Sequence, residues 1–196
     1  MKRSLIIITV VASIVALLSY LYWDRALAYY FSTNPYGIRK IFSYITELGL
    51  SEYYLVPSFL LFLLTRGRRE ELSKGALLLF LSVALSGIFI IIIKVIVARF
   101  RPPALIHDNL FGFNWFEFGY MVNSFPSGHA TTAFSAFVAL SMLMPKFSKL
   151  FLFIALLVAL SRVVLGVHYL SDVIIGGTIG TLWAYYLHSR IFKGIK

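Results

Sequence analysis

Residues 74–102 read KGALLLFLSVALSGIFIIIIKVIVARFRP, and this stretch determines the class of fold. Between Lys74 and Lys94 no residue is charged, and an apolar run of about 20 residues is what a helix needs to cross a bilayer core. The Pro102-Pro103 pair then ends any helix. The stretch therefore predicts a transmembrane helix, counted here as 74–98, that has several cations at one end.

The rest of the chain repeats this apolar pattern. Five further candidate spans lie at 4–23, 53–65, 128–144, 148–166 and 170–189. Residues 29–50 mix aromatic and charged side chains, which is typical of an interfacial helix or of a segment that lengthens the short second span. With 60% hydrophobic and 13% charged residues, a soluble domain is excluded. We expect an all-α polytopic membrane helical bundle of about six transmembrane helices, forming a single domain over 1–196.

The formal net charge of +10 is explained by topology. Most Lys and Arg residues fall at one set of span ends, namely Lys2, Arg3, Arg66, Arg68, Arg69, Lys74, Lys146, Lys149, Arg190, Lys193 and Lys196. The positive-inside rule therefore predicts that both termini are cytoplasmic and that the opposite ends of the spans face the periplasm or exterior. Nucleic-acid binding is not expected, because no nucleic-acid-binding motif accompanies the charge.

Two features of the chain limit its chemistry and its processing. It has no cysteine, which excludes disulfides, thiolate metal ligands and cysteine nucleophiles. The first span, followed by Ala26-Leu27-Ala28, imitates a signal peptide, but its apolar run is long and Asp24 and Arg25 precede that site. We expect this span to be an anchor.

The first of three polar stretches is Lys94 to Pro102. Lys94 and Arg101 are seven residues apart, so two helical turns would place both on one face, about 10 Å apart. A cation inside a span usually has an anionic or aqueous partner, although Lys94 could instead snorkel to the interface. Arg99 would point elsewhere on this helix and is interpreted as an ordinary interfacial residue.

The second polar stretch is Pro126-Ser127-Gly128-His129, directly before the apolar run 128–144. Pro and Ser suit the first turn of a helix, where free N–H groups can bind an anion and Gly128 allows its close approach. The alternative is a plain helix cap with His129 on the surface.

The third polar stretch runs from Ser161-Arg162 to Asp172. His168 and Asp172 are four residues apart and would share a helix face, so the carboxylate can accept a hydrogen bond from Nδ1–H and leave Nε2 as a nucleophile. Gly166 allows a turn that brings Arg162 to the same site, where a guanidinium can bind a phosphate with two hydrogen bonds.

Together the three stretches resemble the signature of the type 2 phosphatidic acid phosphatase superfamily. The matching elements are Lys94-x6-Arg101-Pro102, Pro126-Ser127-Gly128-His129 and Ser161-Arg162-x5-His168-x3-Asp172, all within 94–172. Six spans fit the membrane branch of that family, which includes bacterial phosphatases of phosphatidylglycerophosphate, undecaprenyl diphosphate and lipid A.

The resemblance implies a role for each signature residue. His168 would form a phosphohistidine, Asp172 would orient it, and His129 would protonate the leaving lipid oxygen. The phosphate would be held by Lys94, Arg101, Ser127, Gly128 and Arg162. No metal and no cofactor is expected.

Several polar, aromatic and glycine residues outside the signature have other interpretations. The loop at 105–125 contains Phe111, Phe113, Trp115, Phe116, Phe118 and Tyr120, which would shape a lipid entrance or merely form an aromatic belt. His107 and Asp108 are interpreted as a solvated pair, and His188 as remote from the chemistry. Gly176, Gly177 and Gly180 fit close helix packing.

The sequence therefore predicts a lipid phosphate phosphatase, multi-pass in the inner membrane, with its site facing the periplasm. The candidate substrates are phosphatidylglycerophosphate, undecaprenyl diphosphate, phosphatidic acid and lipid A 1-phosphate. A lipid-to-lipid phosphotransferase or a lipid or anion transporter are the alternatives, whereas a soluble vanadate-dependent haloperoxidase is disfavoured by the apolar spans. The expected partners are the bilayer and a lipid phosphate, without nucleotide, and no oligomeric state is predicted.

Overall fold

The structure is a computed structural model that describes residues 2–33 and 37–193. Tyr36, which belongs to the stretch 29–50, and Lys196, which is one of the basic residues at the span ends, lie outside the described residues. The helices are α1 Lys2–Leu18, α2 Asp24–Thr33, α3 Gly37–Ile45, α4 Glu52–Thr65, α5 Glu70–Val97, α6 Pro102–Asp108, α7 Gly128–Leu143, α8 Ser148–Val164 and α9 Leu170–Ile191. Extended pairing in these ranges is limited to one bridge between Arg99 and Phe113. The all-α prediction is confirmed.

Four helical stretches are long and apolar enough to cross a membrane, namely Leu5–Thr33, Gly37–Thr65, Glu70–Val97 and Pro145–Val164, and α7 is a shorter apolar helix. The first span therefore continues past residue 23. Residues 37–49 join α4 in one stretch of suitable length, which favours the interpretation that they lengthen the second span. The chain is a multi-pass membrane bundle, and the count of six spans remains a prediction.

Helix α7 lies at the centre of the bundle and packs against α5, α8 and α9. Its inward face is made of alanines, and Ala130, Ala133, Ala136 and Ala139 are fully buried. In a membrane, small residues allow helices to approach closely, and this close packing takes the place of a hydrophobic driving force. The large apolar side chains instead lie on the outside, as lipid-facing side chains do; Ile6, Ile91 and Leu64 are examples.

The contact between α7 and α9 depends on glycines. A Cβ at Gly180 would lie 2.4 Å from the Thr131 carbonyl oxygen, and a Cβ at Gly176 would lie 2.6 Å from the Ser127 carbonyl oxygen. At Gly177 it would lie 2.9 Å from the Phe134 ring. The predicted packing role of these three glycines is confirmed.

Candidate active site

The first polar stretch leaves the helix earlier than its spacing suggested. Helix α5 ends at Val97, and Ala98 has a left-handed backbone with φ of 42°. Arg101 is extended and is the N-cap residue of α6, with Pro102 at the first helical position. The prediction that Lys94 and Arg101 share one helix face is therefore wrong, because the helix ends before Arg101.

Both cations nevertheless reach the same backbone carbonyl. Lys94 Nζ donates to the oxygen of Asn123 at 2.7 Å, and Arg101 Nη2 donates to it at 3.3 Å. Arg101 also donates to the Val167 oxygen at 3.2 Å, and its guanidinium lies 4.2 Å from the centre of the Tyr120 ring. The ammonium of Lys94 thus has a partner inside the protein, which favours a site role over snorkelling.

The second stretch forms the start of α7. Ser127 is the N-cap residue, and its N–H donates to the backbone oxygen of Asp172 at 3.1 Å. Its Oγ is buried and has no hydrogen-bond partner within the described chain. The N–H groups of the first turn, starting at Gly128, have no acceptor inside the helix, which is the arrangement that binds anions. Ser127 and Gly128 lie where an anion site would need them.

The ring of His129 packs against a short 3₁₀ turn, Thr46–Gly49, between α3 and α4. A Cβ at Gly49 would lie 2.7 Å from Cδ2 of His129, so a larger residue there would displace the imidazole. His129 is half-buried and is not a free surface residue. Gly49 therefore belongs to the site, and sequence reasoning misses it because a single glycine in a loop has many explanations.

The third stretch is a tight turn between α8 and α9. Arg162 lies in the last turn of α8, and its Nη1 donates to Thr46 Oγ1 at 2.7 Å. Gly166 has a φ of 69°, and the N–H groups of Val167 and His168 both donate to the Arg162 carbonyl oxygen. The turn predicted at Gly166 is confirmed, and it places the backbone of His168 beside that of Arg162.

His168 is positioned differently from the prediction. It precedes α9, which begins at Leu170, so His168 and Asp172 do not share a helix face. The side chain of Asp172 folds back over the helix start, where Oδ2 accepts the N–H of Tyr169 at 2.9 Å. His168 Nδ1 lies 3.7 Å from the same Oδ2, longer than a hydrogen bond. Catalytic hydrogen bonds are often long before substrate binds and shorten in the reacting complex.

The environment of His168 favours its neutral form. Burial lowers the pKa of His168 to about 3, and the positive charges of Arg101 and Lys94 act in the same direction. A neutral imidazole has a free lone pair on one nitrogen. A neutral histidine side chain is of the kind that can act as a nucleophile.

The interpretation of Arg99 as an ordinary interfacial residue is wrong. Arg99 is 1% exposed, and it pairs with Asp172 through Nη1 and with Asp24 through Nη2, the second at 2.8 Å. Asp24 belongs to the helical stretch of the first span and is also 1% exposed. The position of Asp24 within a predicted span could have indicated this pair, because an acidic side chain inside a span usually has a buried partner.

A cavity of about 530 Å³ adjoins the site. Its apolar wall is formed by α4 and α5 and includes Leu55, Val83, Ile88 and Ile91. Lys94, Gly128 and His129 also line it. An apolar cavity that touches three candidate site residues is suited to a molecule with a charged head and an apolar tail.

The segment after α6 exposes several large rings. Phe113, Trp115, Phe116, Phe118 and Tyr120 are exposed, whereas Phe111 stacks on Tyr20 with ring centres 5.2 Å apart. An entrance role and a belt role both remain predictions. His107 and Asp108 are exposed, as expected for a solvated pair. His188 lies in the last turn of α9 and stacks on Phe192, which directly follows the helix.

Across residues 2–33 and 37–193 there is no cluster of three or more His, Asp or Glu side chains that could hold a metal ion. The buried carboxylates Asp172 and Asp24 both already pair with Arg99. The donors around His168 are instead suited to an anion.

Fold and site together define an integral membrane protein in which several cations and helix N–H groups surround a buried histidine. Residues 75–196 match the model of the PAP2 superfamily. The chain belongs to the PAP2 superfamily, as its signature suggested, and it is a membrane lipid phosphatase.

Sequence relatives and solved structures agree with this assignment. The lipid A 1-phosphatase of Rhizobium johnstonii is 31% identical over 173 residues, which cover 82% of this chain and 70% of the relative. The crystal structure of LpxE from Aquifex aeolicus superposes with a TM-score of 0.63 at 25% identity, covering 84% of this chain and 93% of that one.

A second solved structure supports the fold alone. It is the first transmembrane PAP2-type phosphatidylglycerolphosphate phosphatase from Bacillus subtilis, with a TM-score of 0.67 at 24% identity. The match covers 99% of this chain and 96% of that one. It therefore includes the two N-terminal spans, which lie before residue 75.

Proposed function

We propose that this phosphatase hydrolyses a lipid phosphate monoester or diphosphate through a phosphohistidine at His168. The proposal depends on one observation above all. Lys94, Arg101 and Arg162 surround the site, and their partners in the described parts of the chain are neutral oxygens or an aromatic ring. A phosphoryl group supplies the negative charge that would match them, and its charge spreads over the equatorial oxygens in the transition state.

The charge balance of the site fits such a substrate. The three cations and Asp172 together have a net charge of +2, and the Arg99–Asp24 pair leaves this balance unchanged. A phosphate monoester has a charge of about −1.5 to −2 at neutral pH. A charged headgroup is thus neutralised in a region of low dielectric without an added metal ion.

In the first chemical step, the lone pair of His168 Nε2 attacks phosphorus and the bond from phosphorus to the lipid oxygen breaks. The bound phosphate neutralises the cations around His129, so that His129 can hold a proton and give it to that oxygen. Asp172 accepts a hydrogen bond from Nδ1–H and stabilises the charge that develops on the ring. The products of this step are the dephosphorylated lipid and a phosphohistidine.

In the second step, water attacks the phosphorus of the phosphohistidine. His129 takes a proton from this water, the P–N bond breaks, and His168 recovers its lone pair. Inorganic phosphate is released, and His129 is again protonated for the next cycle. No metal ion is required at any step.

The lipid tail occupies the cavity between α4 and α5. Its apolar wall suits acyl or prenyl chains, and Lys94 and His129 in its lining are where the phosphate must arrive. The positive-inside distribution of charge directs this end of the bundle to the periplasm. We therefore place the reaction at the outer leaflet of an inner membrane, with one catalytic domain spanning 1–196.

A substrate panel tests the proposal most directly. Purified protein in detergent is given phosphatidylglycerophosphate, undecaprenyl diphosphate, phosphatidic acid and lipid A 1-phosphate, each with a chelator present. We expect phosphate release from at least one, and the relatives named lipid A 1-phosphatase make lipid A 1-phosphate the first to test. No release from any of them would refute the proposed function.

A matched pair of variants tests the covalent route. His168→Ala should abolish turnover, whereas His188→Ala, the same change in the last turn of α9, should keep it. His129→Ala should be most harmful for lipids with poor leaving groups. Turnover at the wild-type level in His168→Ala would exclude the phosphohistidine. Addition of an acceptor lipid would identify a phosphotransferase by a phosphorylated lipid product.

A further inference from the structure

We propose that Asp24 and Arg99 are positioning residues that hold the Asp172 carboxylate in place for His168. The inference rests on the role proposed above for Asp172. It extends the site to the first span, which lies outside the residues 75–196 that match the family model. Neither residue touches the phosphate in this account, since both act through Asp172.

Arg99 connects three elements of the fold. Its Nη1 donates to Asp172 Oδ1 and, at 2.7 Å, to Ser171 Oγ, both of which belong to α9. Its Nη2 donates to Asp24 Oδ2 at 2.8 Å. The planar guanidinium thus donates to a different carboxylate from each of its two terminal nitrogens. Because the group is rigid, these two contacts fix the orientation of the guanidinium.

The two carboxylate oxygens of Asp172 have different hydrogen-bond partners. Oδ1 accepts from Arg99, whereas Oδ2 accepts from Ser124 Oγ at 2.6 Å and from the Tyr169 N–H. Oδ2 is also the oxygen that lies 3.7 Å from His168 Nδ1. By holding Oδ1, Arg99 determines which oxygen faces the histidine.

Asp24 is directed into the bundle by an unusual turn. Ser19–Trp23 form a π-helical turn, in which the N–H of Asp24 donates to the oxygen of Ser19, five residues earlier. The wide turn places both side chains on one face, and Ser19 Oγ donates to Asp24 Oδ1 at 2.8 Å. In a regular α-helix, residues five apart point in different directions. Single π turns of this kind are frequent at functional sites.

Asp24 also accepts hydrogen bonds from α9. Its Oδ1 accepts the backbone N–H of Ser171 at 3.1 Å, and its Oδ2 accepts from Ser171 Oγ. Ser171 is the residue directly before Asp172. Asp24 therefore fixes both the guanidinium that holds the carboxylate and the backbone that presents it.

Aromatic rings close the space around Arg99. The guanidinium carbon lies 4.4 Å from the centre of the Tyr169 ring and 5.0 Å from that of Tyr20. Phe111 and Phe113 complete the enclosure at 5.7 Å and 5.5 Å. Cation–π contacts are strongest where water is excluded, so Arg99 is confined to one position.

A conservative variant tests the proposal. Asp24→Asn keeps the shape of the side chain and should allow folding, because Arg99 and Asp172 still neutralise each other. We expect kcat to fall about 10–100-fold, the usual cost of losing an outer-shell partner. KM and the inhibition constant of inorganic phosphate should stay within about 2-fold of wild type, because the three phosphate-binding cations are untouched. Asp24→Glu should recover part of kcat.

Asp108→Asn is the matched control, because it makes the same change at an exposed site, and it should leave kcat unchanged. The proposal is wrong if Asp24→Asn has wild-type kcat. It is equally wrong if phosphate inhibition and the thermal midpoint weaken together with kcat, since that pattern indicates general loss of structure.

A second measurement asks whether the two residues act through one carboxylate. Arg99→Lys keeps the charge but cannot bridge two carboxylates with a planar fork. If both residues act through Asp172, the double variant Asp24→Asn/Arg99→Lys should have a kcat within about 3-fold of that of the poorer single variant. If the loss of kcat in the double variant equals the product of the two single losses, the residues act independently and the shared action through Asp172 is wrong. Failure of the wild type on every lipid phosphate would instead count against the proposed function.

Discussion

Two kinds of cation lie side by side inside this bundle, where Arg99 and Arg101 are buried and Lys94 and Arg162 are half-buried. Arg99 has two carboxylate partners and four aromatic rings around it. Lys94, Arg101 and Arg162 have carbonyl or hydroxyl oxygens as their hydrogen-bond partners, and no carboxylate within 4.0 Å among the described residues. A paired cation stabilises the fold, whereas cations that have only neutral partners repel one another until an anion binds.

A buried charge therefore has opposite effects on stability and function depending on its partners. Removing one member of a buried pair leaves its partner uncompensated and costs stability. Removing a cation that lacks a counter-charge relieves repulsion and costs function instead. Measurements of stability and of activity on matched variants can therefore distinguish the two kinds of cation.

The largest effect is expected on removal of the paired cation. Arg99→Met leaves two buried carboxylates without a positive partner, so the free energy of unfolding should fall by about 3–5 kcal/mol. Denaturation in detergent measures it. Arg25→Met removes a nearby exposed arginine and should change stability by about 0.5 kcal/mol or less. Equal stabilities for the two variants would contradict the comparison.

The next effect concerns the cations that lack a carboxylate. Lys94→Met, Arg101→Gln and Arg162→Gln should each lower kcat/KM by about 2–4 kcal/mol of transition-state stabilisation. Their unfolding free energies should be unchanged or higher, because mutual repulsion decreases. Lys40→Gln, at an exposed lysine, is the control for activity. A large loss of stability without loss of activity would place these residues with Arg99.

A somewhat smaller effect should follow from adding the anion. At 100 times its dissociation constant, inorganic phosphate should stabilise the wild-type protein by about 2.7 kcal/mol. Arg101→Gln should lose most of this stabilisation, and thermal shift with and without phosphate measures it. Equal stabilisation of the variant would mean that phosphate binds elsewhere.

The smallest effect is a dependence of stability on pH. The unfolded protein protonates His168 near its ordinary pKa of 6.5, whereas burial lowers the pKa in the folded protein to about 3. Protons therefore favour the unfolded state across this window, and stability falls as the pH decreases. From pH 6.5 to 5 the loss should be about 1.5 kcal/mol. His168→Gln should lack this share of the pH dependence, and an unchanged profile would contradict it.

The sequence predicted the residue types of the site better than their geometry. Apolar periodicity indicates spans, and the three polar stretches were expected at one end of the bundle. The left-handed conformation of Ala98, which ends α5 before Arg101, has no sequence signal, because alanine is a good helix former. The expected shared face of Lys94 and Arg101 failed for that reason.

The pair of Arg99 and Asp24 was missed for a different reason. The two residues are 75 positions apart, and each had a plain local explanation at the end of a span. Their pairing depends on how the first span packs against α9, and on a π turn that rotates Asp24 inward. Such contacts between distant residues cannot be inferred from the local pattern of one sequence.

The joint between α7 and α9 has a consequence for motion. The Ser127 N–H is bonded to the Asp172 carbonyl, and Gly176 lets the Ser127 backbone lie directly against α9. The turn at the start of α7 and the helix that bears Asp172 are therefore expected to move as one rigid body. The opposite side of the site is bonded to α9 through Arg99 and Ser124, so we expect an opening for a bulky headgroup in the exposed aromatic segment between them, residues 115–120. Hydrogen exchange should accordingly be fast in that segment and slow across the joint.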